Sequence, residues 1–172
     1  MDLPVDSALR LFPISPACDV ATAQRVQTAL AKLFEQFARE ARITAWGSGL
    51  LASGAVLAVA WQAHETLSGC SHDRLGRLLL HFEDEQRRIL NAPPLVIEPN
   101  PRPADGSWAC LEEATVVCCD RLAVRQLLAE GRVGGASLVW NLQVVTLAAL
   151  LHDCRSPLAD HPLGARMLPH GL

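Results

Sequence analysis

The densest group of residues able to bind a metal or move a proton lies between positions 64 and 73. It contains His64, Glu65, Cys70, His72 and Asp73. Zinc accepts imidazole, thiolate and carboxylate ligands, which makes His64, Cys70 and His72 candidate metal ligands. Their spacing matches no closed zinc motif, and the chain has no CxxC pair. We therefore expect neither a bound metal nor a cofactor.

A second group of reactive side chains forms the string HDCRSPL at positions 152–158. It resembles the H-box of sensor histidine kinases, a phosphoacceptor motif of the form H-[DE]-x-R-[ST]-P-L. The resemblance implies that His152 accepts a phosphoryl group on a helix, with Asp153 as the neighbouring acid or base. In that family the helix continues past the proline towards an ATP-binding domain. Here Pro162 and Pro169 follow and no glycine-rich nucleotide motif occurs, so autokinase activity is not expected.

The four tryptophans lie in or beside apolar segments, where two interpretations compete. Packing in the core is the first. The second is a small-molecule pocket between helices, lined by Trp46, Trp61, Trp140 and His64. The chain contains no nucleophile elbow, P-loop, GxGxxG or HExxH motif. Whether it is an enzyme therefore stays open.

Composition limits the class of protein. Of 172 residues, 50% are hydrophobic and 19% are charged, and the net charge is −3. This apolar content excludes a disordered chain, and the missing basic excess predicts no nucleic-acid partner. Lys32 is the only lysine among 15 basic residues, a bias typical of GC-rich bacterial genomes. The amino terminus has no basic or apolar signal region, which predicts a cytoplasmic protein with reduced cysteines.

Three segments have apolar residues at helical spacing. The first runs from about 20 to 42, after Asp19 as the N-cap. The second runs from about 72 to 91. The third begins after Ser107 or Asp105 and ends near Gly131.

Two runs without charged residues, 43–61 and 133–151, allow three interpretations. A helix buried on all sides is the first. Short strands within 43–64 and 133–148 are the second. The third is a pair of transmembrane helices, against which Asn141 and Gln143 argue.

Three further segments lack a clear pattern. Residues 1–18 contain Pro4, Pro13 and Pro16 and are expected to form an irregular lead-in. Residues 91–107 are proline-rich and are expected to form a long loop in which 95–97 is extended. Residues 158–172 are expected to form a loose tail. None of these segments separates two sizeable halves, so we expect one domain over 1–172.

Together these patterns predict an all-α protein, a compact bundle of four to five helices. Two of its helices are apolar on every face, and homodimerisation would complete their burial. Because no catalytic constellation appears, the predicted function is that of a non-enzymatic cytoplasmic protein acting through a protein partner, such as a small bacterial regulator or adaptor. An enzyme or small-molecule binder and a two-span membrane protein remain as alternatives.

Overall fold

The computed structural model of the chain describes residues 3–84, 87–90, 95–101 and 107–168. Its strands are β1 (Ala8–Pro13), β2 (Ala45–Leu51), β3 (Val56–Gln62), β4 (Leu95–Glu98), β5 (Val117–Cys119), β6 (Leu138–Trp140) and β7 (Arg155–Pro157). Its helices are α1 (Val20–Arg39), α2 (Gly69–Leu80), α3 (Trp108–Glu112), α4 (Arg121–Ala129), α5 (Leu147–Asp153) and α6 (Gly164–Met167).

The strands form two antiparallel sheets. The first has the order β1-β3-β2, and the second has the order β5-β4-β6-β7. The prediction of an all-α helical bundle is therefore wrong, and the α+β alternative with strands in both uncharged runs agrees with the structure. The predicted dimer also loses its premise, because neither uncharged run forms the all-apolar helix that a second copy was expected to cover.

The run 43–61 forms a strand hairpin instead of a buried helix. Its second strand, β3, is covered on both faces: Ala58 and Ala60 face the second sheet, while Leu57 and Val59 face the helices. A strand buried on both faces is apolar at every position and loses the alternation that marks a half-exposed strand. The hairpin turns at Ala52–Gly54, where the backbone enters the left-handed region.

Three clusters of buried side chains lie between the helices and the two sheets and hold them together. The helices α1 and α2 cover one face of the first sheet, with Phe34 and Leu75 in that cluster. The other face of the first sheet packs against the second sheet through Leu11 and Val96. The far face of the second sheet carries α4 through Val124. The first sheet is thus enclosed between helices and a second sheet.

Small residues let α3 approach the first sheet closely. An added Cβ at Gly49 in β2 would lie 2.8 Å from Cζ2 of Trp108. The ring of Trp108 therefore occupies the space above β2 that a larger residue would fill. Gly49 in the uncharged run 43–61 therefore serves a helix–sheet contact.

The three predicted helices differ in outcome. The first is confirmed as α1, and the Thr22 N–H donates to Asp19 Oδ1 at 2.7 Å, as the cap prediction requires. The second ends at Leu80, because the chain then turns and Glu83 Oε1 accepts the N–H of Ile89 at 3.0 Å. The third is split by β5 into α3 and α4.

The three segments predicted to lack structure contain regular elements. Residues 1–18 include β1; Pro4 precedes this strand, Pro13 is its last residue and Pro16 follows it. Residues 91–107 include β4, as the extended 95–97 piece predicted, while 91–94 and 102–106 lie outside the described residues. The tail contains a 3-10 turn, Leu158–Asp160, and α6, and 169–172 lie outside the described residues.

Within the described ranges, no helix is long and apolar enough to cross a membrane. The runs proposed as spans instead hold β2 and β3 in one case and β6 and most of α5 in the other. The two-span alternative has no support there.

Candidate ligand-binding site

A cavity lies where β3 ends and β1 begins, at one end of the first sheet. Its volume is about 350 Å³, which falls in the lower part of the range of small-molecule sites. We call it the end cavity. Its walls come from the approach to β1, the end of β3, the β3–α2 loop and α2: Asp6, Ser7, Ala8, Trp61, Gln62, Ala63, His64, Glu65, Thr66, Leu67 and His72.

Ser7 is held in this wall by its backbone. Its N–H donates to Pro4 O at 3.0 Å, and its carbonyl oxygen accepts the N–H of Leu147 at 3.2 Å. The residue is 2% exposed. Its Oγ is buried and has no hydrogen-bond partner among the described residues. Buried polar atoms are nearly always hydrogen-bonded, so this hydroxyl retains unused bonding capacity at the cavity.

His72 brings a second polar atom of the same kind. Its ring lies beside the Trp61 indole, with ring centroids 5.7 Å apart. Its Nδ1 is buried without a hydrogen-bond partner in the described part of the chain. Burial lowers the pKa of His72 below its ordinary value, the positive charge of Arg10 lowers it further, and Asp73 opposes the shift. The imidazole is therefore neutral at pH 7.

The position of His72 depends on how α2 is fastened to α1. Arg42 follows α1 in the chain, and its guanidinium Nη1 donates to Ser71 Oγ at 3.0 Å. Arg74 forms an ion pair with Glu40 at 3.3 Å and lies 4.8 Å from the centroid of the Phe37 ring. These contacts join the first two turns of α2 to the end of α1, so the imidazole is placed by a rigid element.

The charges around the cavity are mixed. Asp6 and Glu65 supply carboxylates, and Asp6 Oδ1 accepts from Gln62 Nε2 at 3.5 Å. Arg10 is close enough to act on the charge of His72. The lining itself therefore carries two carboxylates and no arginine or lysine, while the positive charge of Arg10 acts from outside it.

The structure brings together some of the predicted site residues and separates others. Trp61, His64 and His72 line the end cavity. Trp46 is elsewhere, stacked on Phe34 with ring centroids 5.1 Å apart. Trp140 lies in β6, between the two sheets.

The metal candidates do not meet at one point. His64 and His72 line the cavity, but Cys70 is exposed and outside its lining. In the described ranges, no group of three or more His, Cys, Asp or Glu side chains is placed to hold a metal ion. The expectation that no metal or cofactor binds stays a prediction.

The HDCRSPL string does not form one continuous helix. His152 and Asp153 are exposed at the end of α5, Cys154 is buried, and Arg155–Pro157 form β7. The helix thus ends at Asp153, and the Arg-Ser-Pro part of the motif is extended. The phosphoacceptor role of His152 stays an untested prediction.

Arg155 belongs instead to a second buried polar cluster, between the sheets. Its Nη1 lies 3.4 Å from Glu98 Oε2, and the two side chains are 6% and 3% exposed. Its Nη2 lies 3.7 Å from Cys110 Sγ. Burial opposes the charged form of Arg155, but the contacts with Cys110 and Glu98 outweigh burial and raise its pKa.

Three further cysteine side chains lie in or against the core. Burial raises the pKa of Cys118, Cys119 and Cys154 to about 11 in each case. They stay protonated at neutral pH, and all six cysteines are free. A protonated buried thiol is a poor nucleophile.

Sequence reasoning missed Ser7 in the end cavity and Glu98 with Arg155 between the sheets. The sequence does mark Glu98, because this charged residue directly follows the apolar run 95–97. A charge at the end of a buried strand calls for a buried partner. Ser7 left none, because a serine in a proline-containing lead-in is ordinary.

A comparison with known proteins finds no family model that matches this chain, and no curated protein or solved structure that matches it.

Proposed function

We propose that this protein binds a small, neutral, polar molecule in the end cavity. One observation carries the proposal: Ser7 Oγ and His72 Nδ1 are both buried, both lack a hydrogen-bond partner among the described residues, and both belong to residues that line the same cavity. An unsatisfied buried polar group costs about 1–3 kcal/mol. Two of them at one cavity favour a ligand that supplies the missing bonds.

The charge of the ligand follows from the charges in the lining and from Arg10 beside it. An anion would meet the carboxylates of Asp6 and Glu65, and a cation would meet the field of Arg10 beside a neutral His72. A neutral group that offers both a donor and an acceptor avoids both repulsions. A primary amide has this character, because its N–H₂ donates and its carbonyl oxygen accepts.

Three probes of equal size separate these possibilities: benzamide is neutral, benzoate is an anion and benzylammonium is a cation. Each is titrated into ¹⁵N-labelled protein, and the backbone amide shifts of Ser7, Trp61 and His72 are followed. We expect benzamide to shift these amides at the lowest concentration. The variant His72→Phe keeps a ring but removes Nδ1, and we expect it to weaken benzamide binding by about tenfold, as the loss of one hydrogen bond predicts.

The matched control is His152→Phe, which changes an exposed histidine outside the cavity lining. It should leave benzamide binding unchanged. Equal weakening by both variants, or no shift at the cavity with any of the three probes, would contradict the proposal.

The predicted regulator or adaptor function, with a protein partner, has no separate observation in its favour and stays a prediction. The cytoplasmic location and the lack of a nucleic-acid partner also stay predictions. Ligand binding without turnover is compatible with such a function, because a bound ligand can shift the affinity for a second molecule.

A further inference from the structure

The outer edge of β2 is unusual for an exposed strand edge. The strand runs over Ala45–Leu51 and contains no charged residue and no proline. It is the last strand in the order β1-β3-β2, and no other strand in the described part of the chain pairs with it. Proteins usually protect such edges with charges, prolines or bulges, because unpaired backbone groups attract further strands.

Hydrogen bonds at the opposite edge show which way the backbone groups of the first sheet point. The Leu9 N–H of β1 donates outside the sheet, to Val145 O at 2.8 Å. Leu9 lies opposite Ala60 of β3. Since Leu9 turns its backbone groups away from β3, Leu9 and Ala60 form a pair without mutual hydrogen bonds, and Ala60 directs its groups towards β2.

The alternation then settles the orientation of β2. Successive residues of a strand direct their backbone groups to opposite sides, so Val59, which precedes Ala60, directs its N–H and carbonyl oxygen towards β1. Ser48 lies opposite Val59, so the Ser48 N–H and carbonyl oxygen point out of the sheet. Trp46 and Leu50, two residues to either side, point their backbone groups the same way.

We propose that a second copy of this chain pairs with β2 through this edge, antiparallel, with Ser48 opposite Ser48 of the second copy. The two three-stranded sheets then become one six-stranded sheet. Trp46 lies opposite Leu50 of the second copy, and the reverse pair forms by symmetry. Two hydrogen bonds per pair give about six main-chain hydrogen bonds.

Three properties of the edge favour a second copy over a different partner. Antiparallel pairing centred on Ser48 satisfies the two-fold symmetry that most homodimers have. No charge lies on the strand, so two identical edges meet without repulsion. Trp46 and Leu50 lie on one face and are each half-buried, so that pairing adds an aromatic–aliphatic contact across the new interface.

The first test is the molar mass, measured by light scattering on a size-exclusion column over a range of concentrations. Wild type should approach twice 18.6 kDa at the highest concentrations. Ser48→Pro should stay at the monomer mass, because proline lacks the outward N–H that the dimer uses. The monomer should tolerate this change, since that N–H makes no bond to β3 and proline is accepted on edge strands.

Ser48→Ala is the matched control, because it keeps the N–H and removes only the hydroxyl; it should dimerise like wild type. A wild type that stays monomeric, or a Ser48→Pro variant that still dimerises, would overturn the proposal. Circular dichroism reports whether Ser48→Pro is folded.

A second measurement needs no variant. Hydrogen exchange should show the amides of Trp46, Ser48 and Leu50 protected at concentrations where the dimer forms and exposed after dilution. Fast exchange of these amides in the dimer would place the interface elsewhere. Slow exchange in the monomer would mean that the chain covers its own edge, and this too would overturn the proposal.

Discussion

Two buried polar groups in this protein differ in one respect. Between the sheets, Arg155 and Glu98 are almost fully buried and are paired at 3.4 Å, with Cys110 adding a contact. At the end of the first sheet, Ser7 Oγ and His72 Nδ1 are buried and have no partner among the described residues. The first group satisfies itself and belongs to the fold. The second has bonding capacity left, and we propose that a ligand uses it.

The largest effect should come from breaking the paired group. Arg155→Met removes the guanidinium and leaves the Glu98 carboxylate buried without its cation. Loss of one partner of a buried ion pair costs about 3–5 kcal/mol. Urea unfolding of both proteins gives the difference in the free energy of unfolding.

Arg132→Met is the control for that prediction, because Arg132 forms an exposed pair with Glu130 at 3.5 Å. It should change the free energy of unfolding by no more than about 0.5 kcal/mol. Similar effects of the two substitutions would mean that burial does not distinguish the two pairs.

Alanine substitutions at two buried serines should change the free energy of unfolding by smaller amounts and in opposite directions. Ser7→Ala removes an unsatisfied hydroxyl and should stabilise the ligand-free protein by about 1 kcal/mol. Ser137 is buried to a similar degree, but its Oγ donates to Pro99 O at 2.9 Å and accepts the Gly134 N–H at 3.0 Å. Ser137→Ala should therefore destabilise the protein by about 1–2 kcal/mol.

Thermal and urea unfolding of both serine variants, measured without added ligand, check these signs. Destabilisation by Ser7→Ala would show that its hydroxyl already has a partner. The contrast between the two polar groups would then be lost.

The smallest expected effect is a pH dependence at His72. Its pKa in the folded protein lies below the ordinary value of 6.5, chiefly because of burial. As the pH falls below 6.5, the unfolded chain takes up this proton before the folded chain does, so stability falls between 6.5 and the folded pKa. Above 6.5 the stability is fully retained.

Unfolding of wild type and His72→Gln at about pH 5.5 and about pH 7.5 isolates this contribution. Wild type should lose more stability than His72→Gln on going to the lower pH. An equal loss would mean that His72 titrates alike in the folded and unfolded chains.

How much of the fold the sequence predicts depends on how each element is exposed. α1 has one apolar face and a capping Asp19, and it was predicted correctly. β3 is buried on both faces, so its uncharged run matches a buried helix as well as a strand. Short strands such as β5 and β7 pair with distant segments, and no local pattern marks that pairing.

The site was predictable in part for the same reason. Trp61, His64 and His72 are of residue types that often line binding sites, and the sequence predicts them as site residues. Ser7 becomes a candidate only because its hydroxyl is buried without a partner among the described residues. This burial depends on where the approach to β1 meets α5, which the sequence does not show. Likewise, the sequence marks Arg155 only as part of the HDCRSPL string, because its partner Glu98 lies 57 positions away.

The nitrogen resonances of the His72 imidazole test the central claim most directly. They report the tautomer and hydrogen bonding of Nδ1, and they are recorded in ¹⁵N-labelled protein before and after benzamide is added. We predict that the Nδ1 resonance of His72 moves on binding, while the ring resonances of the exposed His152 do not. An Nδ1 resonance that stays unchanged at saturating concentrations of benzamide, benzoate and benzylammonium would contradict the account.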